Sequence, residues 1–218
     1  MLVTKPYNRG RAVEYARRWA LDRNPLFIDF TGNGGNCTKF VSQAVLAGSC
    51  TMNYTRDFGW YYISPEDRAP AWSGVEYFYD FMTQSPTFAS QNGGVGPYAV
   101  EVPRERVQLG DPVQLANRSG DWYHTLIVCG FDGEEILVCA QSDDALDRRL
   151  SSYTNAAMMR FLHIEGVRFE IDDEICFETL LAGGELPPME ELPQTPEAPP
   201  TPENTPPAEE VPPTEQGE

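Results

Sequence analysis

Residues 34–48 read Gly-Gly-Asn-Cys-Thr-Lys-Phe-Val-Ser-Gln-Ala-Val-Leu-Ala-Gly, which places a cysteine where a glycine-rich loop enters a helix. Apolar residues recur at helical spacing from Phe40 to Val45 and predict one buried face, and Gly48 is a natural C-terminal stop. Cys37 then lies in the first turn, where unpaired backbone N–H groups and the helix dipole favour a thiolate. The stretch therefore predicts either a nucleophilic cysteine or a buried structural one.

The chain has 218 residues, which is room for one domain with a sizeable core and an appendage. Residues 185–218 contain nine Glu and eleven of the 19 Pro, but no Lys, Arg or aromatic residue. Such a composition cannot bury enough apolar surface to fold. We therefore expect residues 1–184 to form one folded domain and residues 185–218 to be a disordered, acidic, Pro/Glu-rich tail.

The formal net charge is −17, and the predicted tail carries nine of the negative charges. An acidic body without a basic stripe argues against nucleic acid and anionic membrane surfaces as partners. No N-terminal run resembles a signal peptide, and no stretch is long enough to span a bilayer. We therefore expect a cytoplasmic monomer, or an exported protein if the N-terminus is truncated.

The five cysteines (Cys37, Cys50, Cys129, Cys139 and Cys176) are odd in number and form no C-x-x-C pair. This pattern favours reduced thiols over a disulfide framework. Because the chain has only two histidines and no clustered cysteines, we expect no metal site and no cofactor. Cys129 and Cys139 are interpreted as small apolar residues of a sheet.

Helical patterns come first along the chain and strand patterns follow. Apolar spacing predicts a first helix over residues 12–20 and a short one over 74–83, with an aromatic-rich surface excursion between 51 and 72. Strands are predicted over residues 113–117, 123–129, 135–142 and 158–167. This order predicts an α+β domain in which N-terminal helices pack on a C-terminal antiparallel sheet.

Asp132 and Gly133, between two apolar runs, are a strong hairpin signal. With these two residues as the turn, His124 faces Gln141 across the hairpin. A cysteine nucleophile needs a base within hydrogen-bond reach and a third group that orients the base. The spacing therefore proposes Cys37, His124 and Gln141 as nucleophile, base and orienting residue; the alternative is a strand-end histidine beside an ordinary polar residue.

Three acidic residues follow the second hairpin strand, at positions 143, 144 and 147. We interpret them as a solvated turn rather than a cation site. Asp144 is the reserve candidate for the orienting role if the register of the hairpin differs. His163, between two apolar residues, is interpreted as a packed or edge histidine of a strand.

A glycine-rich loop followed by Cys-Thr and then Phe-Val-Ser-Gln resembles the putative amidase domain family of the papain-like superfamily, related to the CHAP and NlpC/P60 cell-wall hydrolases. Residues 7–16, the Leu-Gly-Asp-Pro-Val-Gln element at 109–114 and the histidine strand at 122–128 resemble the same family in consistent order. The resemblance covers roughly residues 5–165. It implies a papain-like, NlpC/P60-like fold, with Cys37 matching the family nucleophile, His124 the base and Gln141 the third polar position.

This resemblance implies a cysteine amidase or peptidase that cleaves amide bonds, with peptidoglycan-derived peptides as one substrate class. Asn36, Lys39 and Gln141 depart from the residues that are usual in the family, which are Asp, Asn and His; Lys39 adds a positive charge near the predicted nucleophile. Trp60, Tyr62 and Trp72 either line the substrate cleft or anchor a loop in the core. The alternative function is a catalytically weak papain-like module that binds peptides or glycans.

Overall fold

A computed structural model of the chain describes residues 2–31, 34–170 and 176–184. Its helices are α1 (Arg9–Trp19), α2 (Cys37–Ser49), α3 (Pro70–Ser73), α4 (Val75–Met82), α5 (Pro86–Gln91) and α6 (Cys176–Ala182). Its strands are β1 (Val3–Lys5), β2 (Gly96–Val102), β3 (Pro112–Ala116), β4 (Trp122–Asp132), β5 (Glu135–Ala140), β6 (Ala145–Arg149) and β7 (Met158–Phe169). The tail predicted over residues 185–218 lies outside the described residues.

All the strand pairs that the structure describes are antiparallel, and the sheet order is β1-β7-β3-β4-β5-β6, with β2 also pairing with β7. The prediction of helices combined with an antiparallel sheet is therefore confirmed. The four predicted strands correspond to β3, β4, β5 and β7. Strands β1, β2 and β6 were not predicted.

Helix α2 is the buried centre of the fold. All 13 of its residues are buried, whereas the apolar pattern predicted only one buried face. Helix α1 and strand β4 both pack against it. A helix that is enclosed on every side must also bury its polar side chains, and these need hydrogen-bond partners. The side-chain carbonyl of Gln43 accepts a hydrogen bond from the Tyr15 hydroxyl at 2.7 Å, and the Ser42 hydroxyl accepts one from the Trp60 indole N–H at 2.9 Å.

Gly48 does not end α2, because the helix continues to Ser49 and is capped by Cys50 in the left-handed conformation (φ 45°). Its role is to allow α1 to approach. The Gly48 carbonyl accepts a hydrogen bond from the Asn8 N–H at 2.9 Å, and a Cβ at this position would lie 2.4 Å from the Tyr7 ring. The absence of a side chain therefore fixes the distance between the two helices.

Two apolar clusters lie on opposite faces of the central strands. On the helix side, Ile127, Cys129 and Cys139 pack with residues of α1 and α2. On the other side, Leu126, Val128 and Val138 pack with residues such as Leu115 and Leu150. Strand β4 is thus buried on both faces, as expected for a strand of mostly apolar residues.

The aromatic segment at 51–72 is part of the core, which corrects the prediction of a surface excursion. Trp60 and Trp72 are fully buried, and their rings lie 5.1 Å apart. Two isolated bridges, Asn53 with Trp60 and Tyr62 with Arg68, hold the segment together. The lack of a helical or strand period therefore reflects an irregular backbone rather than exposure.

A buried carboxylate, Asp111, joins the start of β3 to α1 and β7. It is fully buried and accepts hydrogen bonds from Arg9 Nη1 at 2.6 Å and from the Ile164 N–H at 3.1 Å. Its other oxygen accepts from the Gln108 N–H at 2.8 Å and lies 2.8 Å from His163 Nδ1. His163, interpreted from the sequence as a packed strand histidine, is part of this structural network.

None of the helices in the described ranges is long and apolar enough to cross a bilayer.

The substitution Gly48→Ala should lower the free energy of unfolding by about 1–3 kcal/mol, because the new methyl group overpacks the contact between Tyr7 and α2. Urea denaturation measures the change. Gly10→Ala is the matched control: its Cβ would meet the side-chain oxygen of Asn8 at an ordinary contact distance of 3.5 Å, so helix propensity should leave stability unchanged or slightly higher. Equal losses in both variants would contradict the interpretation.

The substitution Asp111→Asn should cost about 3–5 kcal/mol, because it leaves the Arg9 guanidinium without its anionic partner in a buried network. Asp132→Asn makes the same chemical change at a carboxylate that is 60% exposed and paired with Arg149, so it should change stability by less than about 1 kcal/mol. Thermal and urea denaturation of the two variants tests the difference.

Candidate active site

A cavity of about 430 Å³ lies where the start of α2 meets β4 and the segments after β5 and β6. Its wall combines backbone, aromatic, hydroxyl and charged groups: Gly34, Gly35, Cys37, Tyr123, His124, Ser142, Asp143, Arg148, Ser152, Tyr153, Thr154 and Asn155. The structure thus brings Cys37 and His124, the predicted nucleophile and base, to one cavity.

Cys37 is the first residue of α2, and its side chain is 8% exposed. The preceding residue, Asn36, does not cap the helix with its side chain. Instead the Asn36 amide accepts from the Phe30 N–H at 2.8 Å and donates to Asp29 at 2.6 Å. The N–H groups of the first turn are therefore left without a side-chain cap at the positive end of the helix dipole.

The loop before Cys37 is held against the turn after β5. Gly34 and Gly35 have φ of +101° and +92°, a region that favours glycine. A Cβ on Gly35 would lie 2.7 Å from Ser142 Oγ, and the Asn36 N–H donates to the same oxygen at 2.5 Å. Ser142 was not identified from the sequence, because its role comes from a close backbone approach that only the folded chain brings about.

His124 extends from β4 on the face opposite α2. Its neighbour Thr125 turns to the helix, with its hydroxyl 2.9 Å from that of Thr38, so the imidazole points the other way and lies 6.1 Å from the Tyr153 ring. Burial lowers the pKa of His124 to about 4, so the ring is neutral at pH 7. Its Nε2 is buried and has no hydrogen-bond partner among the described residues.

An ion pair between Asp143 and Arg148 supplies the fixed charges of the cavity wall. The hydrogen bond from Arg148 holds the pKa of the Asp143 carboxyl below its usual value. The two charges act on His124 with opposite sign, since the carboxylate raises the pKa of the imidazole and the guanidinium lowers it. Asp144, the reserve candidate for orienting His124, instead pairs with Arg23 at 3.0 Å.

The predicted hairpin register is wrong. Asp132 lies opposite Glu135, so the loop consists of Gly133 and Glu134, with Gly133 (φ 61°) at the position where a type II′ turn requires glycine. A bulge at Cys129 then shifts the pairing by one residue. The turn has two residues, as predicted, but it begins one residue later, and the apolar pattern records neither this offset nor the bulge.

Gln141 is therefore not opposite His124. Its amide donates to the backbone carbonyls of Trp19 and Asp22, both at 2.8 Å, on the helix side of the sheet. The imidazole of His124 lies on the other face, and Gln141 is not among the residues that line the cavity. The expected orienting contact is absent from the described part of the structure.

Trp60, Tyr62 and Trp72 do not line the cavity, which corrects the first of the two interpretations made for them. All three belong to the helix-side core. The Tyr62 hydroxyl accepts from the Ile28 N–H at 3.1 Å and so anchors the loop that leads to Cys37. The aromatic residues that do line the cavity are Tyr123 and Tyr153, neither of which was singled out by composition or spacing.

Lys39 lies two residues after Cys37 on α2, and therefore on a different side of the helix. Its ammonium donates to the Ile28 carbonyl and lies 5.4 Å from the centre of the Phe30 ring. Burial lowers the pKa of Lys39 to about 8. Its contacts show a residue that ties the 28–30 loop to α2 rather than one directed at the thiol.

The part of the chain that contains this site is similar to known proteins. No solved structure is significantly similar to the chain, so the papain-like placement stays a prediction. The chain is 31% identical over 168 residues to the uncharacterized protein YhbB of Bacillus subtilis (strain 168), a match that covers 72% of this chain and 50% of that protein. The chain thus spans half the length of this relative. The family described as "Putative amidase domain" matches residues 6–164, which include Cys37, His124 and the whole cavity wall. The chain therefore belongs to the putative amidase domain family, whose name assigns it the hydrolysis of amide bonds in general.

Proposed function

We propose that this protein is a cysteine-dependent amidase or peptidase, with Cys37 as the nucleophile and His124 as the base. The observation that carries the proposal is that the two side chains line one cavity, one from the first turn of α2 and the other from β4. A thiol and an imidazole at one cavity are the minimum set for acyl transfer through a thioester.

The reaction begins with neutral His124 accepting the proton of the Cys37 thiol as the sulfur attacks the amide carbonyl. The imidazolium then gives that proton to the leaving amine, which departs as the thioester forms. Water, deprotonated by the neutral imidazole, attacks the thioester and releases the acid and the thiol. Because burial lowers the pKa of His124, the imidazole is neutral before the reaction and is able to accept that proton.

The negative charge that develops on the substrate carbonyl oxygen during attack needs hydrogen-bond donors in fixed positions. The backbone N–H of Cys37 is the candidate, since it belongs to a first turn that no side chain caps. The hydrogen bond of the Asn36 N–H to Ser142 fixes the start of this turn. The donor is therefore positioned before the substrate arrives, as electrostatic stabilisation of a transition state requires.

Gln141 takes a positioning role in this proposal. By binding the carbonyls at the end of α1, its amide holds the beginning of the turn that carries Ser142 and Asp143. The carboxylate that acts on His124 is Asp143, whose charge stabilises the imidazolium formed during the reaction.

A binding module without catalysis is the second candidate function. It is favoured by one observation: Nε2 of His124 has no hydrogen-bond partner among the described residues, so no third group holds this nitrogen of the ring. The two candidates differ in the reactivity of Cys37 and not in what the cavity binds.

Iodoacetamide should alkylate Cys37 faster than Cys50 at neutral pH, although Cys50 is the more exposed of the two. His124→Gln should remove that advantage. Peptide mass spectrometry of partially labelled protein measures both rates in one sample, with Cys50 as the internal reference. Labelling of Cys37 no faster than that of Cys50 would favour the binding module.

Hydrolysis of a panel of peptide amides and muropeptides tests the substrate, with peptidoglycan-derived peptides as one proposed class. Cys37→Ser should abolish turnover, and His124→Gln should lower kcat/KM by about 10²–10⁴-fold. Cys50→Ser should leave the rate unchanged. Turnover that survives Cys37→Ser would remove the proposed nucleophile.

The acid limb of the pH profile of kcat/KM should fall near pH 4, because the base must be neutral and burial lowers its pKa to about 4. Asp143→Asn removes the charge that raises this pKa, so the limb should move to lower pH. Arg148→Gln removes the charge that lowers it, so the limb should move to higher pH.

Asp144→Asn is the control for these pH profiles, since the Asp144 carboxylate pairs with Arg23, and the residue contacts Arg148 only through its backbone carbonyl, which the substitution keeps. Circular dichroism at each pH is needed alongside the rates. The unfolded state takes up a proton on His124 near pH 6.5, whereas the folded state does so only near pH 4, so the free energy of unfolding falls as the pH drops between these values. If the acid limb of the kcat/KM profile lies at the same pH in the wild type, Asp143→Asn and Arg148→Gln, the assignment of His124 as the base is contradicted.

A further inference from the structure

Three metal-ligating side chains converge at one point of the sheet, on the helix side of β4 and β5. Sγ of Cys129, Sγ of Cys139 and a carboxylate oxygen of Asp147 all lie within 4.8 Å of one another. Both cysteines are buried, whereas the side chain of Asp147 is 35% exposed. Across residues 2–31, 34–170 and 176–184, no other group of three such side chains comes as close.

Two β-bulges produce this convergence. On one side of β5, the pairing with β4 shifts between Val128 and Gly130, which leaves Cys129 as the extra residue. On the other side, the pairing with β6 shifts between Val138 and Ala140, which places Asp147 in the irregular stretch opposite Cys139. Bulges redirect side chains and are frequent beside functional sites. Here, each neighbour of β5 carries a bulge within two residues of the level of Cys139.

The backbone of Asp147 is also unusual, with φ of 52° in the left-handed region. Its carboxylate accepts a hydrogen bond from the Cys129 thiol at 3.3 Å and another from Arg17 at 2.7 Å. Arg17 also donates to the Cys129 carbonyl at 3.1 Å. The residue thus adopts a conformation that is uncommon for aspartate and directs its carboxylate at the thiol pair.

We propose that Cys129, Cys139 and Asp147 bind a thiophilic divalent cation, with Zn²⁺ as the chemical match, through two thiolates and one carboxylate. In a tetrahedral zinc site, the Zn–S and Zn–O bonds of about 2.3 and 2.0–2.2 Å place sulfur and oxygen ligands roughly 3.5 Å apart. The observed 3.3 Å between Cys129 Sγ and Asp147 already has this spacing. Water takes the fourth position, on the exposed side of Asp147.

The charges around the site fit a divalent ion. Two thiolates, one carboxylate and Zn²⁺ sum to one negative charge, and the Arg17 guanidinium beside Asp147 neutralises it. Arg17 therefore acts as an outer partner that orients the carboxylate and balances the complex. A second acidic ligand in place of water would leave a net charge that this arrangement does not offset.

Without an ion, the two sulfurs cannot both be thiolates at such short range. A bound cation removes this restriction, because a metal-bound thiol loses its proton. Binding should therefore release protons, and uptake of the ion should weaken steeply as the pH falls.

The test uses the full chain, reduced with a phosphine, treated with a chelator and titrated with Co²⁺ as a spectroscopic substitute for Zn²⁺. We expect thiolate-to-cobalt charge-transfer bands together with the visible bands of a tetrahedral ion, and displacement of both by Zn²⁺ to about one equivalent per chain. Cys139→Ser should abolish the charge-transfer bands of this site. Asp147→Asn, on a partly exposed residue at a φ that asparagine tolerates, should weaken binding by at least about tenfold.

Cys37→Ser and Cys50→Ser are the matched controls, since each removes one thiol and leaves the cluster intact; both should retain the bands. The proposal is overturned if the reduced wild-type protein develops no charge-transfer band. It is equally overturned if the bands persist in Cys139→Ser, or if Cys37→Ser alone abolishes them, because the ion would then be bound by the thiol of the candidate active site. Circular dichroism of Cys139→Ser establishes that a lost band does not result from unfolding.

Discussion

The complete burial of α2 is the constraint on which the rest of this structure depends. A helix that is enclosed on every side must satisfy each of its polar side chains and must be approached closely by its neighbours. Gly48 permits the approach of α1, Ser42 and Gln43 receive hydrogen bonds from Trp60 and Tyr15, and the Asn36 N–H is bound by Ser142. These contacts leave the helix little freedom to rotate or slide. The first turn, which carries Cys37, is therefore fixed in space by the core rather than by the loop that precedes it.

In this arrangement, strands β4 and β5 contribute both to the core and to the cavity. The face of β4 that carries Thr125 and Ile127 packs on the helices, while the face that carries His124 opens to the cavity. Strand alternation thus lets adjacent residues serve stability and chemistry. On β5 and in the turn that follows it, Gln141 binds the end of α1 and Ser142 and Asp143 belong to the cavity wall. The site is built where a rigid sheet meets a rigid helix, which is where precise positioning of side chains is least costly.

Apolar periodicity predicted the long elements well, because α1, α2, β4 and β7 bury continuous faces whose spacing is visible in the chain. It did not predict β1 or β6, which are short, or β2, which begins with Gly-Pro, and it placed the aromatic segment at 51–72 on the surface. The predicted nucleophile and base line one cavity, since their placement follows from the element that carries each. The register that placed Gln141 opposite His124 was wrong for a specific reason: the pairing of β4 and β5 is set by a two-residue turn that begins at Gly133 and by a bulge at Cys129. A local kink of one residue exchanges the two faces of a strand, and no apolar pattern records it. Ser142, Asp143 and Tyr153 reach the cavity from turns, where spacing carries no information about direction.

Strand β7 has a consequence for how the chain assembles. It pairs with β1, β2 and β3, and thereby joins segments near residues 4, 99 and 114 to the last strand of the sheet, which ends at Phe169. Arg9 and Asp111 add a buried link to the same strand through Ile164. Because these pairings are distant in sequence, they are slow to form and none is available to a growing chain that lacks its final strand. The helical half emerges from the ribosome first, with the apolar faces of α1 and α2 still without the sheet that covers them. Assembly of the cavity that Cys37 and His124 line is thus delayed until nearly the whole domain has been made.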